Sequence, residues 1–297
     1  MTVNSPYASP RATIDRLTEW GLSTKKSLGQ HFLVDDGVIG RILRLAELKA
    51  GEHVLEVGPG IGTLTEAMLL RGARVSAIEK DPRLTPLLED MAARYPESFG
   101  YTNEDVLDFI GVLQETDGRV VRGGTVVTPH KLIANLPYSV AATIVLDLLR
   151  YMDGLSEATV MVQKEVADRM TAKPGSKNYG AYTVKLQLLA YPAGDFKVAP
   201  SCFLPPPRVD STVIRLNRRS DRIFTQRELE SLFFVIEAAF ANRRKTIRNS
   251  MRAHFAESGF APDKADALLA AGGIAPTIRG EALTPEEFIH LAGFLQK

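Results

Sequence analysis

Short apolar runs alternate with amphipathic segments along the first two thirds of the chain. The runs have the length of buried strands, and a glycine or a polar side chain follows each of them; they are His53–Val57, Arg74–Ile78, Lys131–Ala134 and Ala158–Val162. The more polar segment Gly100–Asn103 is a candidate for a further strand. The segments between them repeat apolar residues with the helical period; among them are Thr63–Arg71, Pro82–Tyr95 and Ala141–Tyr151. Strands that alternate with helices predict an α/β fold, in which helices cover both faces of a parallel sheet.

The pattern changes after Asn217, where amphipathic segments follow one another without an apolar strand between them. These segments are Arg227–Ala241, Thr246–Phe255, Pro262–Ala270 and Pro285–Leu295. The last one begins with a capping box, because Thr284 precedes it and Glu287 follows three residues later. The sequence therefore predicts a small C-terminal domain that is entirely helical.

Three parts follow from these patterns: an N-terminal extension over residues 1–24, the α/β domain over 25–217 and the helical domain over 218–297. Residues 1–11 lack periodicity and are predicted to be mobile. Part of the insert 111–130, which contains Gly, Val and Thr, is predicted to form a hairpin.

Composition restricts the class of protein. The chain has 297 residues, 45% hydrophobic and 24% charged, which is typical of a globular protein with one large domain or two smaller ones. Cys202 is the single cysteine, so an intramolecular disulfide is impossible, and a single thiolate argues against a structural zinc site. No apolar run has the length of a membrane span, and residues 1–24 lack the apolar stretch of a secretory signal. We expect a cytoplasmic protein without a bound metal.

Glycines and acidic residues lie where the predicted strands end. Gly58 and Gly60 belong to a turn whose glycine spacing differs from the dinucleotide fingerprint, while Glu79 and Asp105 follow the next two strands. In an open parallel sheet these positions meet beyond the carboxyl ends of the strands. Glu79 can accept from both hydroxyls of a ribose, and Asp105 from an adenine amino group. This pattern favours a nucleoside cofactor without a diphosphate, such as S-adenosylmethionine, with NAD as the alternative.

The stretch Asn135-Leu136-Pro137-Tyr138 follows the strand Lys131–Ala134. The Asn135 amide oxygen and the Pro137 main-chain carbonyl can each accept one hydrogen of an exocyclic amine. They would aim the nitrogen lone pair and stabilise the positive charge that develops on the nitrogen. Tyr138 offers a flat face for stacking a base. The alternative is an ordinary tight turn, in which Pro137 and Tyr138 only pack.

Positive charge is concentrated near the start of the helical domain. The whole chain has a net charge of +1, but residues 208–252 carry +6, from eleven basic and five acidic side chains. Arg243, Arg244, Lys245 and Arg248 are predicted to lie on one helical face and to contact RNA phosphates. Lys25 and Lys26 are candidates to extend this basic surface. The alternative for any such charge run is a solvated helix face.

Six motifs occur in the order seen in the small-subunit ribosomal RNA adenine N6,N6-dimethyltransferases, the family whose loss gives kasugamycin resistance. They are Gly29–Leu33, Glu56–Gly60, Asn135–Tyr138, Gln163–Val166, Phe203–Ser211 and Arg243–Asn249. The chain resembles this family over roughly residues 25 to 295, and the motifs are specific as a set. It departs from the family at His31, where many members have Asn, and in a longer segment over 111–130.

The resemblance implies a cofactor site for S-adenosylmethionine. The positions that match the family's site are His31, Leu33, Gly58, Glu79, Asp105 and Asn135. Gln30 and Gly60, which lie in the same motifs, complete the predicted cofactor site.

The resemblance also implies a substrate. It consists of two adjacent adenosines in a hairpin loop near the 3′ end of 16S rRNA, within an immature 30S subunit. Each adenine would receive two methyl groups, from an enzyme with a role in subunit biogenesis. The oligomeric state does not follow from the sequence, and a monomer is our expectation. Asn135, Pro137 and Tyr138 would act on the adenine, and Phe203 is the candidate to stack on its second face. The alternative for Phe203 is ordinary packing in the core.

Other functions remain as alternatives. One is a macrolide-resistance methyltransferase of large-subunit rRNA with the same core. Another is an assembly or transcription factor that keeps the fold without catalysis, against which the intact Asn135–Tyr138 stretch and Glu79 argue. An NAD dehydrogenase is a third, although the chain lacks an obvious His/Arg pair for hydride transfer.

Overall fold

The computed structural model describes residues 3–22, 30–116, 121–122, 125–126 and 128–295. The chain divides into two compact units. The first unit contains Met1–Ala167 and Pro192–Arg218, and the second contains Asp168–Tyr191 and Arg219–Lys297. Within the described ranges, every helix is too short or too polar to cross a membrane.

A mixed sheet of seven strands forms the centre of the fold, in the order β4-β3-β2-β7-β8-β11-β9. Its strands are β2 (His53–Val57), β3 (Arg74–Glu79), β4 (Phe99–Asn103), β7 (Lys131–Asn135), β8 (Glu157–Gln163), β9 (Ala190–Val198) and β11 (Ser211–Arg218). The strands from β4 to β8 in this order are parallel, as the alternating pattern predicts. β11 is antiparallel to β8, so the sheet is not wholly parallel.

Two short antiparallel pairs lie outside this sheet. β1 (Phe32–Leu33) pairs with β10 (Phe203–Leu204), and β5 (Val121–Arg122) pairs with β6 (Thr125–Val126). The second pair confirms the strand pairing expected within the insert. The first pair joins two motifs that lie far apart in sequence, and neither two-residue strand has a periodicity that the sequence could reveal.

The helices of the first unit include the three segments predicted above and one helix, Val106–Glu115, that was not predicted. They are α1 (Pro10–Glu19), α2 (Asp36–Leu45), α3 (Thr63–Leu69), α4 (Thr85–Arg94), α5 (Val106–Glu115), α6 (Ala141–Tyr151) and the beginning of α7 (Lys164–Met170). Ser9 and Asp35 cap α1 and α2, each by accepting from a backbone N–H of the first turn. The insert 111–130 therefore begins later than expected, because α5 occupies its first residues.

The second unit is helical, with α8 (Ala181–Leu189), α9 (Gln226–Phe240), α10 (Ile247–Glu257), α11 (Asp263–Ala271) and α12 (Pro285–Gly293). Two capping boxes begin α9 and α12, at Thr225 and Thr284, and the second is the one predicted. The predicted domain boundary at residue 218 agrees with the two observed units except for one segment. Asp168–Tyr191 groups with the second unit, although the sequence assigned it to the α/β domain.

The prediction that residues 1–11 are mobile is wrong for those that the structure describes. Ala8 and Leu17 are buried in the hydrophobic core of the first unit, together with Ile39, Met68 and Leu87. Polar contacts of Asn4, Ser5 and Arg16 also hold this segment. Tertiary packing supplies this order, which local periodicity does not report.

Candidate cofactor and amine site

The cavity of the first unit lies where the strand order of the sheet reverses. The chain passes from β2 to β3 and β4 on one side, and then continues at β7 and β8 on the other side of β2. Since β2 and β7 are parallel neighbours, their carboxyl ends are adjacent at this switch point. A cavity of about 660 Å³ opens there.

All eight residues predicted to bind the cofactor line this cavity: Gln30, His31, Leu33, Gly58, Gly60, Glu79, Asp105 and Asn135. Pro137 and Tyr138 line it as well. The motifs come together because the parallel strands present their carboxyl ends at one edge of the sheet.

The turn after β2, residues 58–62, requires glycine. Gly60 and Gly62 have φ values of 60° and 82°, in the left-handed region that other residues rarely occupy. A Cβ atom on Gly60 would lie 3.1 Å from the ring of Phe32 in β1, so the turn also packs tightly against that strand. This glycine turn presents bare backbone to the cavity.

Glu79, at the end of β3, is hydrogen-bonded to the glycine turn. Its carboxylate accepts from the Gly60 N–H at 3.2 Å and from the Asp81 N–H at 2.8 Å. The side chain is only 7% exposed, and this burial raises the pKa of the carboxyl, against the two backbone hydrogen bonds that lower it. Glu79 is therefore a positioned acceptor in the cavity wall.

Asp105 has a structural role and also faces the cavity. One carboxylate oxygen accepts from the Leu107 N–H at 3.0 Å and caps α5, while the other accepts from the Lys80 ammonium. The hydrogen bond with Lys80 lowers the pKa of the Asp105 carboxyl. The helix-cap role and the predicted site therefore coexist at Asp105, and Lys80 enters the cavity wall as a residue that sequence reasoning missed.

His31 connects three of the sequence motifs. Its Nδ1 lies 2.8 Å from the Pro205 carbonyl oxygen, which can only accept, so Nδ1 carries the proton. Its ring stacks on Tyr138, with ring centroids 5.8 Å apart and an interplanar angle of 23°. Its main-chain oxygen accepts from Asn135 Nδ2 at 3.0 Å. His31 thus contacts the Asn135–Tyr138 stretch through both its backbone and its ring.

The hydrogen bond to the His31 carbonyl fixes the orientation of the Asn135 amide. Because Nδ2 is the donating end, Oδ1 is the end that remains to accept. Pro137 presents its carbonyl in the next turn, where the Val140 N–H donates to it at 3.2 Å and uses one of its two lone pairs. Two residues that line the cavity, Asn135 and Pro137, therefore carry acceptors of the kind predicted from sequence, and the Pro137 oxygen already accepts one hydrogen bond.

Tyr138 is held at both ends of its side chain. Its hydroxyl shares a hydrogen bond of 2.6 Å with Ser211 Oγ, while its ring lies on His31. Burial raises the pKa of the phenol. A ring fixed in this way is a suitable platform for a base.

Phe203 does not reach the cavity. It is 3% exposed and belongs to the hydrophobic core, with Phe32 and Leu33 of the paired strand β1 in the same cluster. The predicted stacking of Phe203 on an adenine is therefore corrected, because pairing of β10 with β1 places the ring in the core.

Several further residues of the cavity wall were missed. Gln163 and Ser139 line the cavity, and Glu56 does so while only 2% exposed. Thr65 Oγ1 donates to Glu56 at 2.6 Å, and burial raises the pKa of the Glu56 carboxyl to about 8. Gln163 ends strand β8, so the rule that ligands bind beyond carboxyl ends of strands would have identified it.

The basic cluster of the second unit is not a single helical face. Residues 241–245 form a turn, and α10 begins only at Ile247, so Arg243, Arg244 and Lys245 precede the helix that carries Arg248. Thr246 caps that helix, and its extended backbone ends the turn. The prediction that these four cations lie on one helical face is therefore wrong.

The cations of this cluster also differ in their partners. Arg243 Nη2 donates to the carbonyls of Lys177 and Tyr179, and Arg248 shares Asp266 with Arg252. Arg244 and Lys245 are exposed, and neither has an acidic partner among the residues that the structure describes. Lys25 and Lys26 lie outside the described residues.

Two other cations of the +6 region, residues 208–252, contact acidic side chains or backbone carbonyls of the first unit. Arg215 pairs with Glu47 and Glu157, and Arg218 donates to main-chain carbonyls, including that of Leu155. The count of +6 thus overstates the charge that is available to a ligand.

Comparison with known proteins gives a consistent picture. A model of the ribosomal RNA adenine dimethylase family matches residues 21–297. A ribosomal RNA small subunit methyltransferase A from Geobacillus sp. (strain WCH70) is 38% identical over 296 residues, which is 99% of this chain and 99% of that protein.

Two solved structures share the fold. A dimethyladenosine transferase from Plasmodium falciparum has a TM-score of 0.70 and 22% identity, over 90% of this chain and 98% of that one. A 23S rRNA methyltransferase, ErmE, has a TM-score of 0.61 and 26% identity, over 90% of this chain and 100% of that one. Because the family model covers nearly the whole chain, with a relative of 38% identity beside it, the chain belongs to the ribosomal RNA adenine dimethylase family.

Proposed function

We propose that this protein transfers methyl groups from S-adenosylmethionine to N6 of two adjacent adenosines in a hairpin loop near the 3′ end of 16S rRNA, two to each adenine. Family membership and the identity to a small-subunit methyltransferase support the reaction and the substrate. The observation that carries the proposal is the Asn135 amide, which the His31 carbonyl orients in the wall of the cavity.

The proposal extends to the setting of the reaction. The substrate is rRNA within an immature 30S subunit in the cytoplasm, and the protein acts on it as a monomer with a role in subunit biogenesis. The single cysteine is compatible with a reducing compartment.

The cavity wall has the chemistry that S-adenosylmethionine requires. Bare backbone of the glycine turn allows close approach, the buried Glu79 carboxylate suits ribose hydroxyls, and Asp105 suits the adenine amino group. Gln30, His31 and Leu33 would enclose the cofactor from the side of β1. When bound, the cofactor supplies an electrophilic methyl group on a sulfonium.

The chain's own residues act on the adenine amine. The N6 lone pair is delocalised into the ring, which makes the amine a poor nucleophile. Asn135 Oδ1 and the Pro137 carbonyl oxygen accept its two hydrogens, draw the nitrogen toward tetrahedral geometry and stabilise the positive charge that develops there. Tyr138 stacks on the extruded base and fixes its orientation.

The second transfer to the same nitrogen places a further demand on these acceptors. The methylated nitrogen carries a positive charge until it releases one proton to water. The amine then retains one hydrogen, so only one of the two acceptors can be used. The Val140 N–H already donates to the Pro137 oxygen, whereas Asn135 Oδ1 retains its accepting capacity. Asn135 is therefore expected to hold the remaining hydrogen.

RNA contact is assigned to the helical unit. Arg244 and Lys245 are the cations best placed for phosphate contacts, because both are exposed and neither faces an acidic partner among the described residues. Arg243 and Arg248 complete the proposed cluster, although each already has a partner.

The function is tested by methyl transfer to small subunits from a strain without this gene. The wild-type protein is expected to dimethylate two adjacent adenines near the 3′ end of 16S rRNA, as measured by mass spectrometry. Asn135→Ala should lower turnover by at least about 100-fold, because an acceptor for the developing charge is lost, with a smaller loss of cofactor binding.

Asn217→Ala is the matched control, since Asn217 pairs with Glu157 at the opposite end of the sheet and should leave turnover unchanged. Near-normal methylation by Asn135→Ala would contradict the assigned role. Methylation of large-subunit rRNA instead would favour the function of the structural neighbour ErmE.

A further inference from the structure

A segment that the family model largely leaves out packs directly against elements that form the cavity. We call residues 3–22 the N-terminal arm; the family model begins at residue 21. Within the arm, Ser9 caps α1, and the backbone of Tyr7 accepts from the Thr13 hydroxyl at 3.1 Å. These contacts give the arm a defined structure on the first unit.

The first anchor of the arm is the beginning of α2. The backbone N–H groups of Asn4 and Ser5 donate to the Asp36 carboxylate at 2.9 and 2.8 Å, and Asn4 Nδ2 donates to the Asp36 main-chain oxygen at 3.1 Å. Asp36 lies three residues after Leu33, which lines the cavity. The arm thus holds the segment that forms one side of the cavity.

The second anchor is the glycine turn itself. Arg16 Nε donates to the main-chain oxygen of Ile61 at 3.1 Å, and Ile61 lies between Gly60 and Gly62. The guanidinium carbon lies 4.0 Å from the centre of the Tyr7 ring, and Arg16 is only 7% exposed. Arg16 does not line the cavity, so it contacts the turn from behind.

Stability alone does not account for an arginine at this place. Arg16 Nη2 is buried and lacks a hydrogen-bond partner among the described residues. A buried cation with incomplete partners is unfavourable relative to an apolar side chain of similar volume. The hydrogen bond from Arg16 to the Ile61 carbonyl is charge-assisted, however, and is therefore stronger than one from a neutral donor.

We propose that the N-terminal arm is a brace that fixes the glycine turn relative to the His31–Leu33 segment, and that Arg16 is its positioning residue for cofactor binding. The two cavity walls belong to separate stretches of chain, and the arm contacts both. A small displacement of one wall is enough to weaken binding substantially. This inference rests on the proposed cofactor site.

The test uses the full-length protein with Arg16→Met, which keeps an unbranched stem and removes the donor. The Kd for S-adenosylmethionine, measured by calorimetry, and its KM should both rise on the order of 10-fold, while kcat at saturating cofactor stays within about twofold. Arg16→Lys should recover part of the affinity, because an ammonium can still donate to the Ile61 oxygen.

Arg11→Met is the matched control, because Arg11 lies on the same helix with its side chain 93% exposed. It should leave the Kd unchanged. Asn4→Ala loosens the first anchor and should raise the Kd in the same direction as Arg16→Met. If Arg16→Met fails to fold, as judged by circular dichroism, Asn4→Ala and Arg16→Lys decide the question.

The proposal is overturned if the folded Arg16→Met variant has a lower melting temperature but binds S-adenosylmethionine within about twofold of the wild type. Such a result would mean that Arg16 only stabilises the fold. Glu79→Ala separates this failure from a failure of the proposed site. If Glu79→Ala loses binding and Arg16→Met does not, only the brace is wrong. If Glu79→Ala binds like the wild type, the cofactor site itself lies elsewhere.

Discussion

Glu56 and Glu79 are two buried carboxyl groups that face the same cavity from neighbouring strands. Burial raises the pKa of both, and that of Glu56 reaches about 8. The difference lies in their partners, because two backbone N–H groups donate to Glu79 while the Thr65 hydroxyl donates to Glu56. At neutral pH, Glu56 is therefore mostly protonated in the folded protein.

A stability prediction follows for Glu56→Gln. The folded pKa of about 8 lies above the ordinary value of 4.5. Between these values the folded state keeps a proton that the unfolded chain releases, so the contribution of Glu56 to the free energy of unfolding falls as pH rises, and is constant above about pH 8. Glutamine has no proton to lose. Relative to the wild type, the variant should gain at least about 1 kcal/mol between pH 5 and pH 8.5.

Denaturant unfolding of both proteins at the two pH values measures this gain. Other titrating groups cancel in the difference between the proteins, and the amide oxygen of glutamine can still accept from Thr65. A difference that does not change with pH would show that Glu56 ionises normally in the folded state.

Two helices of the second unit, α9 and α12, are stabilised at their first turns by capping boxes. At the start of α9 the Thr225 hydroxyl accepts from the Glu228 N–H, and the Glu228 carboxylate accepts from the Thr225 N–H at 2.7 Å. Thr284 and Glu287 repeat this arrangement at α12. Both boxes have the same local sequence pattern, in which a Glu follows the Thr three residues later.

Thr225→Ala should lower the free energy of unfolding by about 1 kcal/mol, because one backbone N–H loses its acceptor. Thr225→Ser keeps the hydroxyl and is the matched control, with an expected change near zero. Thr284→Ala should resemble Thr225→Ala, as measured by denaturant unfolding. Equal stabilities of Thr225→Ala and Thr225→Ser would mean that the hydroxyl contributes little to α9.

For the whole molecule, the two units are expected to divide cofactor binding and RNA binding between them. Arg244→Gln with Lys245→Gln should weaken RNA binding and reduce the slope of the logarithm of the binding constant against the logarithm of the salt concentration by about 0.7 for each lost contact to a single strand. The Kd for S-adenosylmethionine should not change, because the residues predicted to bind the cofactor all belong to the first unit. Filter binding at several salt concentrations measures both RNA effects.

Arg248 offers a control for this prediction, because Asp266 already neutralises part of its charge. Arg248→Gln should weaken RNA binding less than either substitution in the turn. Asp266→Asn should strengthen it, by releasing Arg248 and Arg252. A larger loss at Arg248 than at Arg244 would reverse this ranking of the cations.

The sequence by itself determined the parallel strands of the central sheet and the positions at their carboxyl ends. Periodicity identifies β2, β3 and β7, and the residue that follows or ends each strand is known once the strand is known. Gly58, Glu79 and Asn135 therefore meet at one edge, because parallel strands place all their carboxyl ends at the same edge of the sheet. Local signals are sufficient in this case because side-chain alternation and turn chemistry act over a few residues.

Only the tertiary structure decided which side chains are available in the site. Phe203 enters the core through pairing of β10 with β1, the Asn135 amide is oriented by the distant His31 carbonyl, and Asp266 neutralises part of the Arg248 charge. The N-terminal arm, which lacks periodicity at its beginning, is ordered by Asp36 and Ile61. Each of these outcomes depends on a partner far away in sequence, and a local pattern carries no information about such a partner.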